Sequence, residues 1–465
     1  MGARSGDGVG CWIPGGNNAV SDRAWLFCDA PVGATTGASY MVESWSRELR
    51  ARGWETRVFA PSGGFSRTQR TAEGVAFRTV RSLAYRSDYN ARFSAVRELL
   101  RARRDRPDVV VVTTPLRVGV LGMLVAAWLR VPMVVAVSTN TTGMAEHYSA
   151  ARVITTMLPK LGLLLLRSGR ARRRMFSGSS ALRGDGTLSE RLAAHAVLAL
   201  QGDARELVML AGKTVDGYAD EELLAKVNVL PAGIDPLPPA DAPAGVVWPD
   251  TALRALYVGR YSREKSLPLL LEGVRAACDL GVDLHLTMVG EGHMRDELER
   301  RARDLGIAER VSVTGPFPRC ELQGIYESAD VFVFPSVVDT QAFVLNEAAH
   351  AGLPLLVSDG RVNPVVRAGE SAVVVDHTAD GLAHGFARLC DARLRETLGA
   401  EACRLAAPLT EAGQTARLEM ILRRAMDTRA LPAPPSLLHT PEQLAAVGLM
   451  AASDDGRKQA GSRAE

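Results

Sequence analysis

The stretch "PAGIDPLPPADAPAGVVWP", residues 231–249, is rich in proline and carries neither the helical nor the strand period, so it reads as a linker between two folded units. Upstream, from about Trp25 to Ala232, short apolar runs alternate with longer helical patterns. "WLFC" precedes a helical stretch over 39–52, "TRVFA" precedes one near 91–104, and "VVVVT" precedes one over 116–130, with "MVVAV" following. Downstream the alternation restarts with "LRALYVG", "DLHLTMVG", "VSVTG", "VFVFP", "PLLVSD" and "AVVVD", each followed by a helical or turn segment. Such alternation predicts βα units on parallel sheets, hence an α/β chain with two Rossmann-like, doubly wound parallel-sheet domains facing a cleft. The predicted division is a tail over 1–23, a first domain over 24–232, a linker over 233–250 and a second domain over 251–405. A C-terminal helix over 406–429 returns toward the first domain, and a flexible tail covers 430–465.

At 465 residues the chain is too long for one core, and a net charge of +3 gives no global basic field for nucleic acid. The cysteines at 11, 28, 278, 320, 390 and 403 show no CxxC pair and no Cys/His spacing. This argues against a zinc site and a disulfide framework and for a reducing, cytoplasmic setting. Residues 1–23 read as a polar tail without a secretory signal, and no apolar run reaches eighteen residues.

Ligands of open parallel sheets sit at the carboxyl ends of strands, so chemistry is expected in the cleft. "ALYVG" is followed by "RYSREK", which places Arg260 and Lys265 on the loop leaving a strand. Two cations there suit a diphosphate, although such a pair also fits a solvated basic loop. "DTQAFVLNEAAHAGLP", residues 339–354, puts Asp339 before a helix and Glu347 about two turns inside it. The unpaired first amides of that helix suit a phosphate. Taken alone, the pair favours Asp339 as a simple cap and Glu347 as a surface residue.

In order and spacing, "VGRYSREKSLPLLLEGV", "MVGEGHMRDELERRARDLGIAERVSVTGPFPRCELQGIYESADVFVFPS" and the 339–354 stretch resemble the nucleotide-sugar domain of family-four retaining glycosyltransferases of the GT-B fold, the glycosyl transferases group 1. The resemblance is strong over about 253–376 and weaker upstream. It implies that Arg260 and Lys265 hold the diphosphate, Asp339 the donor sugar and Glu347 the ribose. Backbone amides of Gln341, Ala342, Phe343 and Val344 then face the distal phosphate and sugar, with Val313 and Gly315 beside the base and Gly259 and Thr340 completing the donor site. Two departures stand out: Asp339 replaces the first glutamate of the family's pair, and "TQA" replaces the more frequent Thr-Phe-Gly. The shorter carboxylate is withdrawn by roughly an ångström, a misplacement that can cost on the order of a hundredfold in rate. The Gln variation is read as a change of specificity.

In the first domain, Gly33 and Gly37 keep the loop before the first helix small, which suits either a tight turn or a ligand close to the backbone. The third glycine of a dinucleotide fingerprint is lacking, so NAD is not expected. Ser138 falls where many relatives carry a histidine near the donor sugar and is a possible sugar or acceptor contact. His147 is read as structural. Residues 177–195 look inserted. The segment 158–176 joins an apolar run to arginines and fits either contact with an anionic membrane or a core helix followed by a charged turn.

The resemblance implies transfer of a hexose, mannose or glucose, from a UDP- or GDP-sugar to a lipid-linked or glycan acceptor, with retention and with no metal or other cofactor. The alternatives are a nucleotide-sugar-binding protein impaired in catalysis and an epimerase or phosphorylase on the same scaffold.

Overall fold

A computed structural model of the chain describes residues 21–30, 37–62, 68–70, 76–81, 105–113, 117–137, 201–215, 221–243, 245–246, 248–249 and 253–427. The helix expected near 91–104, the inserted stretch 177–195 and the tail over 430–465 lie outside these residues, as does nearly all of 1–23.

The first sheet contains β1 (Arg23–Phe27), β2 (Glu55–Ser62), β3 (Thr68–Arg70), β4 (Ala76–Arg81), β5 (Val109–Val112), β6 (Met133–Val137), β7 (Glu206–Met209) and β8 (Val227–Val229). Their spatial order is β3-β4-β2-β1-β5-β6-β7-β8. All pairings are parallel except β3 with β4, an antiparallel edge absent from the expected all-parallel sheet. The reason is local: "TQR" has no apolar run to mark it as a strand, and it pairs only at the rim.

The second sheet contains β9 (Leu253–Val258), β10 (Leu284–Val289), β11 (Val311–Val313), β12 (Val331–Phe334), β13 (Leu355–Val357) and β14 (Ala372–Val374). It is parallel throughout, in the order β11-β10-β9-β12-β13-β14. Central strands such as β5 and β12 are buried along their whole length, which is why they read as continuous rather than alternating apolar runs.

Helices cover these sheets through spaced apolar residues. The helix Gly37–Ala51 buries Met41, Val42, Trp45 and Leu49, and the helix Leu267–Asp279 buries Leu267, Leu270, Leu271, Val274 and Ala277. Asp29, just past β1, caps the neighbouring helix Arg117–Leu129 by accepting from the amides of Val118 at 2.6 Å and Gly119 at 3.2 Å.

Strand order reverses between β1 and β5 in one sheet and between β9 and β12 in the other. Each reversal sends the two flanking loops in opposite directions and opens a crevice at the strand ends. In the second sheet those loops are the ones after β9 and β12, which carry Arg260, Lys265 and Asp339.

The chain crosses between the domains twice. The linker is only partly a free tether: Pro231, Ala232, Gly233, Ile234 and Leu237 are buried. Ile234 N donates to Leu409 O at 2.9 Å, and Glu411 N donates to Asp235 Oδ1 at 3.0 Å, so the outgoing and returning segments lie side by side. A Cβ on Gly233 would stand 2.1 Å from Thr410 O, so only glycine permits this approach.

The returning helix, Glu411–Met426, puts Leu418, Ile421, Leu422 and Ala425 into the core of the first sheet. Its large aliphatic side chains contribute about 1.5–3 kcal/mol each. Glu411 accepts from Ser44 Oγ at 2.7 Å and also from Tyr40 and Arg47, while Arg424 forks onto Glu206 at 2.7 and 2.8 Å.

Candidate functional site

The loop after β9 turns on glycine. Gly259 has φ +154, and a Cβ there would lie 2.7 Å from the Tyr257 hydroxyl, which donates to Arg260 O at 3.1 Å. A Cβ on Gly290 would strike Gly259 O at 2.0 Å, and Gly290 N donates to Gly315 O at 3.3 Å. Gly290 therefore lets the loop after β10 pack backbone to backbone against the loop after β9, and its amide ties both to the loop after β11. Gly259 and Gly315 were expected in the donor site. Gly290 was not, although "MVGEGHM" carried it in plain view.

From this platform Arg260 projects into solvent, its side chain 56% exposed and its Nη2 3.3 Å from Glu264 Oε1. Lys265 is drawn in: its Nζ lies 2.6 Å from Asp339 Oδ1 and 5.4 Å from the centre of the Phe334 ring. Ser336 Oγ ties the two loops by donating to Glu264 O at 2.9 Å. Burial pushes the Asp339 carboxyl up, but Lys265, the nearby Ser336 hydroxyl and, last, Lys213 outweigh it and hold the group below its ordinary value. Its second oxygen, Oδ2, is buried and has no hydrogen-bond partner among the described residues. Such an orphan costs roughly 1–3 kcal/mol or more until a donor reaches it.

The helix Phe343–His350 begins at Ala342 with no side-chain cap. Asn363 fixes this entry, its Nδ2 donating to Ala342 O at 3.0 Å and to Asn346 Oδ1 at 2.6 Å. Past Ala351 the chain leaves the helix at Gly352, with φ +75. Asp339 precedes the helix as expected. Glu347 lies little more than one turn inside it, not two, because the loop runs to Ala342 before the helix starts. Nor is Glu347 a surface residue: its side chain is 5% exposed, with Oε1 taking Arg319 Nη1 at 2.5 Å and Oε2 the Tyr326 hydroxyl at 2.8 Å. The Arg319 guanidinium lies 4.8 Å from the centre of the Tyr40 ring, in the first domain.

Gln341 takes a role its sequence context did not suggest. Its side chain is buried and staples the interdomain segment, Oε1 accepting from Ala232 N at 2.7 Å and Nε2 donating to Ala232 O at 2.9 Å. The "TQA" variation therefore has a structural role, whatever it does to specificity. Thr340 and Ala342 are buried beside it, and Val344 is half-buried. Phe343 leans into the first domain, and a Cβ on Gly37 would lie 2.6 Å from its ring. Gly37 is thus small enough to admit Phe343.

Val313 O accepts from Arg295 Nη2 at 3.0 Å at the end of β11. Gly33, Ser138, His147 and the 158–176 segment lie outside the described residues. Lys213, Asp359, Arg319 and Tyr40 escaped the sequence reading; each draws its meaning from a partner far away in the chain. Among the described residues no group of three or more His, Cys, Asp or Glu side chains is gathered for a metal, and no helix is long and apolar enough to cross a membrane.

Comparison with known proteins agrees with this architecture. Residues 252–392 match the family described as glycosyl transferases group 1, and residues 36–212 match the glycosyl transferase 4-like domain. The chain is 35% identical over 138 residues to D-inositol 3-phosphate glycosyltransferase 1 of Catenulispora acidiphila, covering 28% of this chain and 33% of that one. It is 30% identical over 134 residues to the GDP-mannose-dependent alpha-(1-6)-phosphatidylinositol dimannoside mannosyltransferase of Mycobacterium tuberculosis, covering 29% and 34%. The chain thus spans about a third of the length of these two curated relatives. Among solved structures, sucrose-phosphate synthase of Thermosynechococcus elongatus superposes with a TM-score of 0.61 at 18% identity, covering 87% of this chain and 98% of that one. Anabaena HepE in complex with UDP and glucose superposes with a TM-score of 0.59 at 14% identity, covering 87% and 99%. With two family matches that together take in more than half of its residues, and two parallel-sheet domains joined by a double crossing, the chain belongs to the family-four glycosyltransferases of the GT-B fold.

Proposed function

We propose that this protein is a retaining glycosyltransferase that moves a hexose, mannose or glucose, from a UDP- or GDP-sugar to a lipid-linked or glycan acceptor. One observation carries the reading: at the strand-order reversal of the second sheet, a buried carboxylate offers one oxygen to Lys265 and keeps the other unpaired, beside an uncapped helix entry. A sugar hydroxyl is the donor that Asp339 Oδ2 lacks.

The chain's own groups supply the chemistry. An ammonium has three protons, so Lys265 can keep Asp339 and still donate to a phosphate oxygen, while Arg260 swings from its exposed pair with Glu264 onto the diphosphate. Together with the helix amides they offset the charge of the leaving diphosphate, which makes a metal unnecessary in this scheme. The acceptor hydroxyl then attacks the anomeric carbon on the face the diphosphate leaves, a phosphate oxygen takes its proton, and configuration is retained. Glu347 binds the ribose once Arg319 shares or yields its oxygen. The acceptor meets the first domain in the cytoplasm, at the membrane surface if it is lipid-linked.

A second reading, nucleotide-sugar binding without turnover, draws on the fact that Asp339 and Glu347 are both already paired with cations. A thermal-shift screen against UDP-, GDP- and ADP-sugars tests the first step. A ligand at a hundred times its Kd stabilises the fold by about 2.7 kcal/mol. No shift with any of them overturns both readings; binding without transfer, unimproved by Asp339→Glu, selects the second.

A further inference from the structure

Lys213 stands one residue beyond the stretch that matches the first-domain family. It sits in the short turn Gly212–Val215 that follows β7, and its side chain is only 11% exposed. Although it belongs to the first domain, its ammonium reaches across the cleft, donating to Val337 O at 3.4 Å and pairing closely with Asp359, itself 16% exposed. Val337 belongs to the loop that carries Asp339. Asp359 begins the loop after β13: its Oδ1 accepts from Arg361 N at 2.8 Å, and four residues on, Asn363 holds the helix entry at Ala342. A single cation therefore holds both loops that shape the sugar end of the candidate donor site. Lys213 also helps keep Asp339 ionised.

We propose that Lys213 is a positioning residue of the donor site, supplied by the first domain. By clasping Val337 and Asp359 it sets where Asp339 and the Ala342 helix entry stand against the sugar of a nucleoside-diphosphate sugar. The inference rests on the glycosyltransferase reading and deepens it. Apart from its distal phosphate at the helix amides, the nucleotide half of the ligand meets other groups, chiefly Glu347 and the loops after β9 to β11, away from the Lys213 contacts to Val337 and Asp359. Losing the clasp should blunt recognition of the sugar and spare recognition of the bare nucleotide.

The test measures the affinities of UDP, UDP-glucose, GDP and GDP-mannose for the wild-type chain and for Lys213→Met, Lys213→Arg and Asp359→Asn, alongside kcat and KM with whichever sugar binds. Melting temperature and circular dichroism establish that each variant folds. In Lys213→Met and Asp359→Asn, affinity for the sugar nucleotide should fall by about tenfold or more while that for the matching bare nucleotide stays within about twofold, and kcat should fall with it. Lys213→Arg should recover part of the loss. A merely structural lysine would weaken both ligands equally, and that result, or no change in either, overturns the inference while the wild-type binding keeps the glycosyltransferase reading. Failure of the wild-type chain to bind any of the four overturns both.

Discussion

Replacing Arg260 with alanine separates folding from ligand binding more cleanly than any other change at the site. The side chain is more than half exposed and makes one ion pair, to Glu264 at 3.3 Å, in contact with water. Pairs of this kind contribute about 0–1 kcal/mol to folding, so the melting temperature should move by no more than a few degrees. Against a donor the same guanidinium would make charge-assisted hydrogen bonds to the diphosphate. One such bond is worth about 1.5–3 kcal/mol, or roughly a 10- to 150-fold loss of affinity on removal. If the charge matters more as the diphosphate departs, kcat falls beyond the change in KM. The assay pairs a thermal melt of the free protein with titration calorimetry and steady-state transfer on the sugar nucleotide that gives the largest stabilisation. A variant that melts like the parent, and also binds and turns over like the parent, removes Arg260 from the site and refutes the charge argument.

Gln341→Ala should destabilise the protein by about 2–4 kcal/mol, because it leaves the buried amide and carbonyl of Ala232 without partners; a urea midpoint unchanged from wild type would contradict this. Gly37→Ala forces a methyl to within 2.6 Å of the Phe343 ring and should cost about 1–3 kcal/mol or prop the domains apart, with lower turnover; Phe343→Leu in the same chain should relieve it, and a double variant no better than the single would speak against the contact. Burial holds both His285 and His350 below the ordinary imidazole value of about 6.5, so the folded state binds fewer protons than the unfolded one. Their contribution to stability is present above that value and is lost as pH falls through the folded-state values. Urea midpoints should therefore drop between pH 8 and pH 5.5, less steeply in His350→Gln; a flat profile would be inconsistent with buried neutral imidazoles.

The strands of both sheets were largely legible because central parallel strands are buried on two faces and so appear as unbroken apolar runs between turns, as "VVVV" and "VFVF" do. The rim strand β3 was not, since three polar residues pairing at an edge leave no such mark. Arg260, Lys265, Asp339 and Glu347 could be picked out because they sit on loops that the alternation itself locates. What each of them touches could not. Arg319 meets Glu347 across 28 residues, Lys213 meets Asp359 across 146, and Tyr40 meets Glu411 across 371, and nothing in local spacing encodes such pairings. Gln341 shows the limit most plainly: a residue adjacent to the expected ligand spends its side chain on the backbone of the other domain's exit segment.

The paired crossings near Ile234 and Leu409 behave like two pins on one side of a door. A single tether would let the halves slide and twist; two segments bonded to each other should favour one rotation over the rest. Opening to exchange substrates would then swing the halves along a fixed arc, bringing Lys213 and Phe343 back to the same seats on every return. Gly233, at the axle itself, is where even one added carbon should jam the swing.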